Sequence, residues 1–274
     1  MTKRSQVTKP RANPAGARRV AQAGETHGPR ATPSVGAIAF FDFDNTLIDG
    51  DAGPLFGWYL FKWRRNELLG HRWKRLRLWL RYVPFATWMG VQAVFYRIGA
   101  VRRSTIVRAA YKGLAGVEED RFLGLMQQFA RDAIVPRIYP SMRDEVRAHH
   151  AAGRRCVVLT TGIEPLVRHV LDHIDPGMEL IGCRMQTKPD RRTAVPKLTG
   201  RVQGPLYGVD KANILDAYAR ALGVQPANCW SYSDHLSDRQ MLEVVGHPVA
   251  VNPRGRFARL ARRKGWEILE PELA

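Results

Sequence analysis

The stretch Ala37-Ile38-Ala39-Phe40-Phe41-Asp42-Phe43-Asp44-Asn45-Thr46 decides how this chain is read. The apolar run Ala37–Phe41 has the composition of a buried strand and delivers two carboxylates, two residues apart, to its end. A strand alternates faces, so residues i and i+2 share one side while the chain stays extended. Paired like charges resist burial, and a core strand that ends this way needs a cation nearby. A metal ion or a phosphate-handling site meets that need. The plainer alternative is a solvated strand end with Thr46 as a helix cap.

Composition sets the outer bounds. A chain of 274 residues holds one generous domain, or a core domain with a smaller insertion. A hydrophobic content of 45% is ordinary for a globular protein, but a net charge of +18 is not. That charge favours anionic partners: nucleic acid, anionic lipid headgroups or phosphorylated substrates. Residues 1–36 carry Lys3, Arg4, Lys9, Arg11, Arg18, Arg19 and Arg30 against Glu25, among Pro, Gly, Ala, Ser and Thr. This segment reads as a disordered basic tail and lacks the apolar centre of a secretory signal. Cys156, Cys183 and Cys229 lie in or beside apolar runs without ligand spacing. They read as buried core thiols, which suits a reducing, cytoplasmic location.

Five short apolar runs recur with helical stretches between them: Ala37–Phe41, Cys156–Leu159, Glu179–Met185, Cys229–Tyr232 and Pro248–Val251. Alternating strands and helices predict an α/β fold, a Rossmann-like parallel sheet flanked by helices, with sites at the carboxyl ends of the strands. Predicted helices span Tyr139–Ala152, Pro165–His173, Lys211–Leu222 and Ser237–Val245; Gly153, Gly223 and Gly246 supply stops. Residues 187–204 read as a β-hairpin or a surface loop. The interval 51–140 has helical periodicity and no strand-like run, so it reads as a helical cap inserted into a core made of 37–50 and 141–274. Within it Leu69, Trp73, Leu76, Leu80 and Val83 follow helical spacing, with Arg65, Arg72, Lys74 and Arg75 on other faces. Such a helix suits an anionic lipid or substrate surface, or a solvated face with snorkelling arginines. The charge-free run Tyr82–Tyr96 is 15 residues long, short of the roughly 20 that span a bilayer.

Four polar clusters fall at the ends of inferred strands: Asp42/Asp44/Thr46, Thr160/Thr161/Gly162, Lys211 at a helix start, and Asp234/Asp238. Taken singly, Thr-Thr-Gly suits a turn and cap, Lys211 a solvated helix end, and Asp234 with Asp238 one helical face. Their joint order after successive strands is the stronger signal.

With the motifs Asp42-Phe-Asp44-Asn-Thr46, Val158-Leu-Thr160-Thr-Gly162, Gly208-Val-Asp-Lys211 and Tyr232-Ser-Asp234-His-Leu-Ser-Asp238, the chain resembles the haloacid dehalogenase superfamily, in its phosphoserine-phosphatase-like branch. The segment Ala250-Val-Asn-Pro253-Arg-Gly-Arg resembles the closing part of that branch. The resemblance implies that Asp42 attacks phosphorus to form an aspartyl-phosphate and that Asp44 serves as general acid and base. It implies Mg2+ held by the Asp42 side chain, the Asp44 main-chain carbonyl and Asp234, with Asp238 supporting the metal waters or orienting Lys211. Thr160 and Lys211 would bind phosphoryl oxygens, with the N–H groups near Thr161 and Gly162 opening the next helix; Thr161 is the alternative hydroxyl. Asp51 stands where the branch has a substrate-reading Glu, a partial match. The implied substrate is a small phosphate monoester. A phospholipid headgroup phosphate at a membrane surface is the alternative, and a basic nucleic-acid or membrane adaptor with a vestigial core ranks lower because the acids are intact.

Overall fold

Residues Ile38–Phe41 form strand β1, and all four are fully buried. The computed structural model describes residues 36–67, 111–112, 114–204 and 208–273, with single positions 76, 80, 83, 84, 87 and 91 between. The basic tail, Leu69, Trp73 and most of the run Tyr82–Tyr96 therefore lie outside the described residues. The other strands are β2 (Arg155–Ile163), β3 (Glu179–Pro189), β4 (Pro196–Gln203), β5 (Trp230–Ser233), β6 (His247–Val251) and β7 (Glu267–Leu269). They form one sheet in the order β4-β3-β2-β1-β5-β6-β7, with β1 in the middle. Neighbours run parallel except for the antiparallel hairpin β3–β4.

Helices cover both faces. They are α1 (Ala52–Glu67), α2 (Glu119–Phe129), α3 (Pro140–Ala151), α4 (Glu164–Ile174), α5 (Gly208–Ala221), α6 (Arg239–Glu243) and α7 (Gly255–Lys264). A π turn (Ala130–Ile134) and a 3-10 turn (Val135–Arg137) follow α2. The alternation of β1 shows why it is apolar throughout. Ala39 and Phe41 join one cluster with Met142 and Val146 of α3 and Val167 and Val170 of α4. Ile38 and Phe40 join another with Leu215 and Ala219 of α5 and Met241 of α6. A strand buried on both faces reads as a continuous hydrophobic run, which is how Ala37–Phe41 is written.

Several elements differ from their sequence expectation. β2 does not stop at Leu159 but runs through Thr160, Thr161 and Gly162 to Ile163, with an irregular register against β3 in that stretch. The polar residues that read as a turn are carried inside the strand because β3 pairs beyond them. Residues 187–204 do form a hairpin, β3 extending to Pro189 and pairing back with β4. The helix expected over Ser237–Val245 is a 3-10 turn (Leu236–Asp238) followed by the short α6. β7, only three residues long, was not among the apolar runs. All three cysteines are free and buried, and burial pushes Cys156 and Cys183 up to about 12, so they persist as neutral thiols. Among the described residues no helix is long and apolar enough to cross a membrane.

A buried polar chain ties α3 to β5. His149 is 1% exposed, and its Nδ1 lies 3.1 Å from a guanidinium nitrogen of Arg154, which can only donate. Nδ1 is thus the acceptor, and the proton sits on Nε2, 2.7 Å from the Tyr232 hydroxyl. That hydroxyl donates to Glu145 Oε1 at 2.6 Å. Burial pushes the His149 pKa down to about 4, so the folded ring stays neutral. In the unfolded chain a histidine titrates near 6.5. Between about 6.5 and 4 the unfolded state binds a proton that the folded state refuses, so stability is complete above that window and falls as pH drops through it. The expected loss is on the order of 2–3 kcal/mol. Urea unfolding at a series of pH values checks it: the decline should flatten in His149→Gln, and identical slopes in both proteins would remove the assignment.

Candidate active site

The sheet order places a topological switch between β1 and β5. From β1 the chain builds outward through β2, β3 and β4 on one side, then crosses to β5, β6 and β7 on the other. In open α/β sheets the ligand crevice lies outside the carboxyl ends of the strands at such a point. Asp42 follows β1 and Asp234 follows β5. The Asp42 N–H donates to the Tyr232 carbonyl at 2.9 Å, holding the two strands together where the chain leaves the sheet.

Asp42 continues the row Ile38–Phe40, the row that faces α5. Lys211 continues the row Leu215–Ala219 on α5, four residues before each successive member, so it points at the sheet. The two rows meet as an ion pair. Lys211 Nζ lies 2.7 Å from Asp42 Oδ1 and 2.6 Å from Asp238 Oδ2, with Lys211 2% exposed, Asp42 6% and Asp238 3%. Burial opposes the lysine charge, but Asp42 and Asp238 overcome it and hold its pKa well above the ordinary value. Lys211 is therefore the fourth residue of a helix and fully enclosed, not a solvated helix end. Asp238 is further held by hydroxyl donation from Ser233 (3.2 Å) and Ser237 (3.3 Å). Asp234 lies in a bend before the 3-10 turn, so Asp234 and Asp238 do not share a helical face as their spacing suggested.

Asp44 is buried, and its Oδ1 accepts the N–H of Ala52, the first residue of α1, at 2.9 Å. Asp51 is half-buried and accepts the Gly53 N–H at 3.0 Å, the geometry of an N-cap for α1. Thr46 is fully buried in the turn after β1 and caps no helix. On β2 the Thr160 side chain is fully buried and its Oγ1 accepts the Gly162 N–H at 3.0 Å. The hydroxyl keeps its own proton to donate. A Cβ at Gly162 would come within 3.3 Å of that Oγ1 and 3.0 Å of Val167, so glycine keeps the hydroxyl's place open. The next helix starts only at Glu164, so the Thr161 and Gly162 N–H groups do not open it. Thr161 is half-buried, and its carbonyl accepts the Tyr111 hydroxyl at 3.2 Å.

Charge and donor type decide what else this site can hold. Asp42 and Asp234 leave neighbouring strands at the switch point, Asp42 and Asp238 meet on Lys211, and Lys211 is the one Lys or Arg buried among the described residues. The acids outnumber that cation, and the donors are all oxygen, the set a hard divalent cation prefers. By the family resemblance the Asp42 and Asp234 carboxylates and the Asp44 carbonyl would hold such an ion; among the described residues no three His, Cys, Asp or Glu side chains converge as a metal site. Three contributors escaped sequence reading: Ser233, Tyr111 and the Ala52 N–H. A serine in an apolar strand carries a faint signal; a tyrosine far from any motif and a backbone donor carry none.

Comparison with known proteins identifies the family. A family model described as haloacid dehalogenase-like hydrolase matches residues 39–243. The chain is 28% identical over 242 residues to a phosphoserine phosphatase of Mycobacterium tuberculosis, covering 87% of this chain and 72% of that protein. It is 27% identical over 239 residues to a histidinol-phosphatase of Neisseria meningitidis, covering 85% and 97%. Among solved structures, a Bordetella pertussis protein of unknown function superposes with a TM-score of 0.65 at 22% identity, over 86% of this chain and 99% of that one. With its sheet order, its switch-point acids and this match over most of its length, the chain belongs to the haloacid dehalogenase-like hydrolases.

Proposed function

We propose that the chain is a magnesium-dependent phosphatase acting on a phosphate monoester of a small organic metabolite, through an aspartyl-phosphate intermediate. The observation that carries this reading is the buried Lys211 bridging Asp42 and Asp238, with Asp44 one strand step beyond Asp42. Relatives named for phosphoserine and histidinol phosphate support the substrate class.

In this reading an Asp42 oxygen attacks phosphorus while the ester P–O bond breaks, and Asp44 gives its proton to the leaving oxygen. Asp44, now a carboxylate, takes a proton from water, which attacks phosphorus and releases inorganic phosphate and Asp42. Lys211 and the Thr160 hydroxyl hold the phosphoryl oxygens as charge develops. Asp238 keeps Lys211 aimed. The Asp42 and Asp234 carboxylates and the Asp44 carbonyl would hold a magnesium ion, which would supply positive charge at the phosphoryl group. Asp51 is assigned to substrate reading at the entrance to the helical insertion, residues 51–140.

Hydrolysis of an aryl phosphate by the purified protein with Mg2+ tests the reading. Activity should vanish with a chelator, return with Mg2+ and be lost in Asp42→Asn; a fully inert protein would sink it. A panel of phosphoserine, histidinol phosphate, lysophosphatidate and phosphatidylglycerophosphate then ranks substrates. Lys211→Ala leaves two carboxylates buried without their cation, which should cost about 3–5 kcal/mol of stability in urea unfolding. Adding Asp238→Asn should recover part of that loss while kcat stays down by about a hundredfold or more. Activity within a few-fold of wild type would remove Lys211 from the phosphoryl site.

One observation favours a second reading, a phospholipid headgroup phosphatase working at an anionic membrane surface. Leu76, Leu80, Val83 and Val91 are exposed by 37–61%, each in helical conformation. They lie in residues 68–117, which contain ten Lys and Arg and no Asp or Glu. Exposed apolar side chains in an acid-free basic segment suit an anionic interface. Co-sedimentation with phosphatidylglycerol vesicles, absent with phosphatidylcholine and weakened in Leu80→Glu, is the expected result; equal recovery with both lipids removes this reading.

A further inference from the structure

A cavity of about 650 Å3 opens at the carboxyl ends of β5 and β6. It shares Asp234 with the candidate active site and is also lined by Asn45, the residue after Asp44. Its remaining charged or titratable lining comprises Asp49, Tyr139, His235, Arg254 and Arg256, of which His235 is hydrogen-bonded to Ser237. Asp49 is already answered. Its carboxylate accepts the Tyr139 hydroxyl at 3.2 Å and lies 3.5 Å from the Arg137 guanidinium. Asp234 is assigned to the metal. Arg254 and Arg256 remain, and neither guanidinium forms an ion pair or hydrogen bond among the described residues.

These two arginines stand either side of Gly255, whose φ of +56° opens α7. A Cβ there would meet nothing, so the glycine serves this left-handed turn and not close packing. The turn brings both arginines to the wall of one cavity. Arg254 sits close enough to Tyr139 to oppose the rise in that phenol's pKa. The rest of α7 is also basic, but Arg259, Arg262 and Arg263 do not line the cavity. The pair at 254 and 256 is thus distinguished from the general charge of the helix.

A guanidinium fork matches a carboxylate or phosphate edge, and two forks on one cavity suit an oxyanion. The reacting phosphoryl group already has Lys211 and Thr160. A cavity of this volume accommodates more of a ligand than one phosphoryl group. We propose that Arg254 and Arg256 bind a second anionic group, a carboxylate or a further phosphate, at the distal end of the ester hydrolysed at Asp42. The proposal rests on the phosphatase reading above, and it restricts the substrate class to phosphate esters with an anionic far end.

The test uses full-length protein with Mg2+ and ω-carboxyalkyl phosphates of increasing chain length, each against the alkyl phosphate of the same length. At one chain length kcat/KM should favour the carboxylated ester by roughly tenfold, mainly through KM. That preference should fall to near parity in Arg254→Gln/Arg256→Gln and persist in Arg259→Gln/Arg262→Gln, which removes the same two charges outside the cavity. No preference at any length, or equal loss in Arg259→Gln/Arg262→Gln, overturns the proposal. Calorimetric titration of the carboxyalkyl phosphates reads the pocket independently of turnover. If wild type hydrolyses none of the esters, the phosphatase reading fails, while roughly tenfold weaker binding to the double variant still supports the pocket and equal binding overturns it. If inorganic phosphate instead binds this pocket as a free anion, with two calorimetric sites in wild type, one in the double variant and no chain-length effect, the substrate assignment is wrong.

Discussion

One buried ammonium organises this molecule. Lys211 lies between the Asp42 and Asp238 carboxylates with almost no solvent contact, and none of the three charges would be tolerable there alone. Their pairing locks the end of the central strand to the first turn of α5 and to the turn after β5. Asp44 and Asp234 follow the same two strands at the switch point of the α/β sheet, and the proposed binding of a hard cation beside a phosphoryl group builds on that placement.

The chain between β1 and β2 is tied to the core at two described places. At its start, the first N–H of α1 reaches the Asp44 carboxylate. Further along, Tyr111 donates to the Thr161 carbonyl, the Gly116 N–H donates to the Leu198 carbonyl on β4, and the Leu198 N–H donates to the Val117 carbonyl. The residue proposed to shuttle the proton is therefore in direct contact with the segment proposed to select the substrate. A change in how α1 leaves the core alters the hydrogen bonding of Asp44.

The basic balance of the chain has more than one location. Much of it lies in segments outside the described residues, but α7 carries a dense share on a core helix that buries Phe257, Ala258, Leu260 and Ala261. Arg254 and Arg256, at the start of this helix, border a cavity that includes Asp234, which converts part of a diffuse positive charge into a placed one. In the proposed reading, electrostatic attraction over long range and binding at short range would act on the same class of ligand.

Much of the architecture was legible before any coordinates. The run Ala37–Phe41 is apolar at every position because both faces of β1 are covered, and that pattern alone predicts a central parallel strand. Asp42 and Asp44 stood out because like charges at the end of such a strand demand compensation. Lys211 was legible as a motif residue, yet its burial was not: only packing of Leu215 and Ala219 on the sheet aims it at Asp42. The sequence did not show that β2 would carry Thr160 inside the strand, because the pairing partner of that stretch is set by β3, distant in the chain. Nor could it show that Asp234 and Asp238 lie on a bend and a 3-10 turn, or that Arg254 and Arg256 face the same cavity as Asp234. By itself the sequence determined which residues must be buried and which chemistry was available, since periodicity and residue type are local. Which of those residues meet, and at what distance, was decided by the tertiary structure, because strand order and helix docking are set by contacts between segments far apart in the chain.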